Sequence, residues 1–144
     1  SFRDLIVYQR ARGVAKEVFE ITKSFPREEM YSLTDQIRRP SRSAGAQIAE
    51  AWAKRRYEKH FVSKLTDADG EQQETQHWIE VARDCDYLTQ QQADRLVKDT
   101  SEIGRMLNSM IQKSTAFCGV GHKVVREHHS EYFATDHRQL ITEN

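Results

Sequence analysis

Four stretches of this chain repeat apolar and small side chains at alternating spacings of four and three, and this recurrence limits the available folds more than any other feature. On a helix turning about 100° per residue, such positions stack into one stripe. The first stripe runs from Leu5 to Phe25 through Val7, Ala11, Val14, Val18 and Ile21, and it is expected to stop at Ser24-Phe25-Pro26 because a residue before proline avoids the helical region. Gly13 lies inside it at some cost in helix propensity. The second runs from about Met30 to Ala53, with Leu33, Ile37, Ala44, Ile48 and Ala51 in one sector and Glu28-Glu29 favouring its positive end. Pro40 removes one of its hydrogen bonds and is expected to bend it. The third, from Tyr57 to about Cys85, carries Phe61, Leu65, Ala68, Gln72, Thr75, Ile79 and Ala82, a seam that is polar in its middle. After the turn Asp86-Tyr87-Leu88, Thr89 is the expected N-cap of a fourth helix built on Ala93, Leu96, Thr100, Ile103, Leu107 and Met110.

Four amphipathic helices with short connections predict an all-α protein, an antiparallel up-down four-helix bundle over residues 1–117. A polar C-terminal extension, residues 118–144, follows as a tail or short extra helix. Its apolar residues Val124, Val125, Tyr132, Phe133, Leu140 and Ile141 would support a short helix or an arm docked on a neighbour. A chain of 144 residues suits one domain. No apolar run approaches the roughly 20 residues needed to span a bilayer, and the first residues lack the layout of a secretion signal. The expectation is a cytoplasmic protein without membrane contact. Cys85 and Cys118 form no Cys-x-x-Cys pair, so reduced thiols are expected.

Net formal charge is zero, so any affinity for nucleic acid must come from a local patch. One is present. Residues 38–59 hold seven Lys or Arg against two Glu, and Arg38, Arg39, Arg42, Lys54, Arg55 and Arg56 make the candidate nucleic-acid-binding set. Arg38 and Arg42 are expected opposite the apolar seam, with Arg56 returning to their sector if the helix continues that far. The competing reading is a protein assembly module without nucleic-acid contact. There these cations pair with carboxylates of the third helix, within or between subunits, since residues 67–84 hold six Asp or Glu against one Arg. The seams are thin, so apolar surface should remain to be buried in an oligomer, with Trp52, Tyr57 and Trp78 at its interface.

Catalytic and metal chemistry find little purchase. Glu74 and His77 have the Glu-x-x-His spacing of di-iron bundles, but no second copy exists and both fall on the outer side of the third seam. Cys118, His122, His128, His129 and His137 match no standard zinc spacing. A phosphate-binding glycine loop, a Gly-x-Ser-x-Gly elbow and a His-Glu-x-x-His motif are all missing, and neither Ser41 nor Ser43 has a placed histidine base. The chain is expected to be no enzyme, with no cofactor and no metal.

Several short motifs occur in a fixed order: Phe25-Pro26, Glu28-Glu29, Tyr31-Ser32-Leu33-Thr34, Gln36-Ile37-Arg38-Arg39, Ser43 and Ile48-Ala49-Glu50. With Glu74-Thr75-Gln76-His77-Trp78-Ile79, Ala82 and Tyr87-Leu88, this order resembles the four-helix-bundle family encoded in intervening sequences of bacterial 23S ribosomal RNA genes. The resemblance covers about residues 2–115. It implies a left-handed bundle, commonly a homopentamer, without known enzymatic activity. Accessory proteins of diversity-generating retroelements share that architecture and bind nucleic acid and a reverse transcriptase, which implies RNA or DNA and a reverse transcriptase as partners. This chain departs from the family pattern at Pro40-Ser41-Arg42, where Ala-Ala-Val is usual, and at Ala44, Gln47 and Ala51, where Ile, Asn and Gly are usual.

Overall fold

The computed structural model describes residues 1–119 and 129–134. It is all-helical, with four long helices: α1 (Ile6–Thr22), α2 (Leu33–Ala53), α3 (Glu58–Asp84) and α4 (Gln90–Gln112). Two short ones follow, α5 (Ser114–Phe117) and α6 (His129–Tyr132). None of the described helices is long and apolar enough to cross a membrane.

The predicted stripes are the core. Every expected position of the third and fourth seams is buried, including the polar Gln72, Thr75 and Thr100. Thr75 and Thr100 tolerate burial because each hydroxyl donates to a carbonyl one turn back, that of Glu71 at 2.9 Å and Leu96 at 2.8 Å. In α2 the five expected residues are joined in the core by Thr34, Pro40, Ser41 and Gly45. Pro40 stands inside a helix that runs on to Ala53. In α1 the seam ends on Thr22 rather than Ile21, which is half-buried: the Thr22 hydroxyl donates to the Val18 carbonyl at 2.7 Å and so sheds its polar cost.

The ends follow local chemistry. α1 stops three residues before Phe25, which is buried beyond the helix against Tyr87 with ring centroids 5.4 Å apart. α2 starts only at Leu33, because Arg27–Glu29 forms a separate 3-10 turn whose Glu29 carboxylate accepts from the Leu33 N–H at 3.1 Å. Thr89 caps α4 as expected, in a capping box closed by Gln92. α3 ends at Asp84, and two residues later Asp86, with a φ of 60°, lets the Tyr87 N–H bond back to the Ala82 carbonyl at 2.9 Å.

Neighbouring helices pack in a ring, α1 against α2 and α4, and α3 against α2 and α4. Charged pairs join α1 to α4, Arg10 with Glu102 and Glu17 with Arg95, and the order of positions along one helix reverses along the other. At one end of the bundle the chain folds back on itself. Phe133 makes a bridge with Leu5, the Ala134 N–H donates to the Asp4 carbonyl at 2.7 Å, and the Tyr132 hydroxyl meets Ser109 at 2.9 Å. Residues 129–134 thus contain the short helix, and they dock on their own bundle. Of the other apolar residues considered for the extension, Val124, Val125, Leu140 and Ile141 lie outside the described residues.

Candidate nucleic-acid interface

The six basic residues of the second stretch do not form one patch. α2 ends at Ala53, and Lys54, Arg55 and Arg56 occupy the turn to α3, so Arg56 does not rejoin the sector of Arg38 and Arg42. Eleven helical residues, Ser43–Ala53, separate Arg42 from Lys54, a rise of about 18 Å. Only four residues lie between the end of α2 and the start of α3 at Glu58.

Arg38 is half-buried and leans onto α1. Its Nε donates to Thr22 Oγ1 at 2.7 Å and its guanidinium lies 4.9 Å from the centre of the Phe19 ring. Arg42 is exposed, 5.7 Å from the same ring, and Lys23 on α1 approaches that ring to 4.6 Å. Three cations thus share one aromatic side chain. Arg39 is exposed and pairs with Asp35 at 3.1 Å one turn away, a surface pair of little energetic weight. In the turn, Lys54 and Arg56 are exposed, while Arg55 stacks on Trp52 at 3.6 Å and donates from Nε to the Trp52 carbonyl at 2.9 Å. Partial burial lowers the Arg55 pKa, and the neighbouring Cys118 opposes that shift.

The expected pairing of these cations with α3 carboxylates inside the subunit does not occur among the described residues. The α2–α3 ion pair has the opposite sense: Lys64 of α3 meets Glu50 of α2 at 2.8 Å. The hydrogen bond and charge of each partner hold Glu50 below and Lys64 above their usual pKa ranges. The reason is angular. Arg38 and Arg42 turn toward α1, whereas α3 packs on another side of α2.

The face between α1 and α2 carries residues that charge counting along α2 missed. On α1, Tyr8, Arg12, Ala15, Lys16, Phe19 and Lys23 share the sector flanking the core stripe. On α2 the matching sector holds Arg38, Arg42, Gly45, Ala49 and Trp52. Gly45 is buried where the two helices meet, and a methyl group there would make ordinary van der Waals contact with the Tyr8 ring at 3.7 Å. Neither set contains a carboxylate. Those nearby in sequence are engaged, Glu20 with Lys23 at 3.1 Å and Asp35 with Arg39. The signal was present in the sequence as a second series at spacings of four, four, three and four, Tyr8, Arg12, Lys16, Phe19 and Lys23, beside the apolar one.

The residues expected at an oligomer interface divide. Trp52 is half-buried within its own chain, covered by Phe117 at 6.3 Å and Phe133 at 5.7 Å, because α5 and α6 fold over it. Tyr57 is 59% exposed. Trp78 is half-buried beside His77, and its indole N–H is buried with no hydrogen-bond partner among the described residues. Met30 and Tyr31, 49% and 93% exposed, were not anticipated.

Glu74 and His77 are exposed on the outer side of α3, pointing away from the bundle core that a di-iron site would use. Of the histidine-rich set, Cys118 is half-buried, with burial and Glu58 pushing its thiol pKa up against the opposing charge of Arg55. His122, His128 and His137 lie outside the described residues, and only the backbone of His129 is described.

Comparison with known proteins gives a consistent answer. A crystal structure of a protein of unknown function from the S23 ribosomal protein family, from Bacteroides thetaiotaomicron, is similar at 29% identity and a TM-score of 0.67, covering 74% of this chain and 98% of that one. No curated protein matches the sequence. The model of the 23S rRNA-intervening sequence protein family matches residues 3–109. With α1, α2, α3, nearly all of α4 and every one of the ordered motifs inside that span, the chain belongs to the 23S rRNA-intervening sequence protein family.

Proposed function

We propose that this chain is a non-enzymatic, oligomeric scaffold or accessory factor of the cytoplasm that associates with nucleic acid through the α1/α2 face. The observation that carries the reading is the carboxylate-free sector in which Arg12, Lys16, Lys23, Arg38 and Arg42 stand beside Tyr8 and Phe19. Such an array attracts phosphates although the chain as a whole is neutral, because interactions beyond about 10 Å are screened and only the local field matters. The family name and that of the Bacteroides relative refer to ribosomal RNA and a ribosomal protein family, which makes RNA the first ligand to test.

The reversed order of the pairs Arg10–Glu102 and Glu17–Arg95 supports an antiparallel up-down arrangement of the helices. The left-handed turn and the homopentamer implied by the resemblance complete the architecture, and a reverse transcriptase is the protein partner it implies. Retention of RNA and DNA on the protein at low salt tests the function. Replacing Arg38 and Arg42 by alanine should abolish most of it, and undiminished retention would refute the assignment.

A second reading rests on Tyr57 and Trp78. An exposed aromatic ring and an indole N–H lacking a partner suit an interface between subunits. In a pure assembly module the same arginines would form intersubunit salt bridges and touch no nucleic acid. Light scattering separates the cases when combined with the retention assay: an oligomer that dissociates in Arg38→Ala and Arg42→Ala variants and retains no RNA favours assembly alone.

A further inference from the structure

The α1/α2 face ends in a pocket of about 300 Å³, lined among others by Phe19, Phe25, Pro26 and Met30, with Lys23, Arg27 and Arg38 around them. Its chemistry is two-sided. Apolar and aromatic surface lies beside three cations, of which Lys23 forms a surface pair with Glu20 at 3.1 Å. Glu29 is held by the Leu33 N–H and the Tyr87 hydroxyl, the latter at 3.4 Å. Glu28 lines no part of the pocket. Met30 is half exposed at its edge, and Tyr31 beside it in sequence is 93% exposed.

We infer that this pocket receives an unpaired nucleobase, so that the ligand of the α1/α2 face is a single-stranded nucleic acid. The inference rests on the nucleic-acid function proposed above and specifies its substrate class. A base offers an apolar face for Phe19, Pro26 and Met30, while its flanking phosphates reach Lys23, Arg27 and Arg38. A duplex cannot use this site. Its bases are paired and stacked, and the groove between two helices whose axes lie about 8–10 Å apart is too narrow to seat it. From the pocket, the strand would continue along the face past Arg42 toward Lys16 and Arg12. Recognition of this kind tolerates many sequences, since every base has a π-face.

The test uses the full chain and four fluorescent probes of one sequence: single-stranded RNA, single-stranded DNA, a blunt duplex and a single strand with several abasic positions. Binding is measured by anisotropy at low salt. The base-bearing single strands should bind at least about tenfold more tightly than the duplex or the abasic strand, and the better of the RNA and DNA strands identifies the sugar preferred. Met30→Ala should weaken single-strand binding by about two- to fivefold, less than the loss of a full base–aromatic stack, with little effect on the duplex. Its melting temperature checks that the fold is intact. Equal or tighter binding of the duplex, or equal binding of the abasic strand, overturns the pocket while leaving nucleic-acid association standing. No binding of any probe overturns both.

Discussion

Replacing Gly104 by alanine should destabilise the protein, although alanine is the better helix former. A methyl group at Gly104 of α4 would stand 2.7 Å from Gln72 Nε2 and 3.3 Å from Asp69 Oδ1, inside normal contact distance. Gln72 is 5% exposed and fixed on both sides. Its Nε2 donates to Asp69 Oδ1 at 2.8 Å, and its Oε1 accepts from Gln76 at 2.7 Å. Alanine contributes about 1 kcal/mol of helix propensity. Displacing Gln72 forfeits two hydrogen bonds of about 1 kcal/mol each and leaves a buried amide short of partners, at a further cost of about 1 kcal/mol or more. The net is a loss of about 2 kcal/mol, or a fall in melting temperature of about 4–8 °C.

Gly13 and Gly70, also within helices, have nothing within 4 Å of an added methyl group. Their alanine variants should each gain about 0.5–1 kcal/mol. Thermal unfolding by far-ultraviolet circular dichroism at fixed protomer concentration makes the comparison fair if the chain assembles. The three variants should divide in sign. A Gly104→Ala protein melting at or above the parent would refute the packing of α3 on α4 described here.

Two further substitutions probe other parts of the fold. Thr89→Ala removes the hydroxyl that accepts from the Gln92 N–H in the α4 capping box, while the backbone N–H of residue 89 can still donate to Gln92 Oε1. It should cost about 1 kcal/mol in a denaturant titration, and Thr89→Ser should retain most of the stability. Burial raises the Glu71 pKa, helped by the charges of Glu74 and Asp67. Its contribution to stability is therefore full below the usual carboxylate range and is lost as pH rises through the raised value. Glu71→Gln should melt higher than the parent at pH 7, with the difference closing in acid, and a pH series of melting curves checks this.

The bundle was legible because its seams consist of side chains whose burial is decided by size and spacing. Phe61, Leu65 and Ile79 could face nowhere else, and even Gln72 kept its place by spacing alone. Thr22 was not legible, since its burial in place of Ile21 depends on a hydroxyl bonded within its own helix and to Arg38. The basic residues of α2 stood out by charge, but the way they turn is fixed by α1, whose Thr22 hydroxyl and Phe19 ring receive Arg38. For the same reason Phe19 and Lys23 entered the site only with the three-dimensional structure. The docked residues 129–134 are too few to show a period, and their attachment to Leu5, Asp4 and Ser109 spans more than ninety residues for two of those three.

The salt dependence of RNA binding tests the central claim most directly. Lys and Arg arrayed on the α1/α2 face should give a steep fall of affinity with salt, by a logarithmic slope of about 0.7 per phosphate neutralised on a single strand. Arg42→Ala, exposed and outside the core, should reduce that slope by about one contact and weaken binding whatever the sequence. Absence of binding at low salt, or a slope unchanged in the variant, would contradict the assignment of this face to nucleic acid.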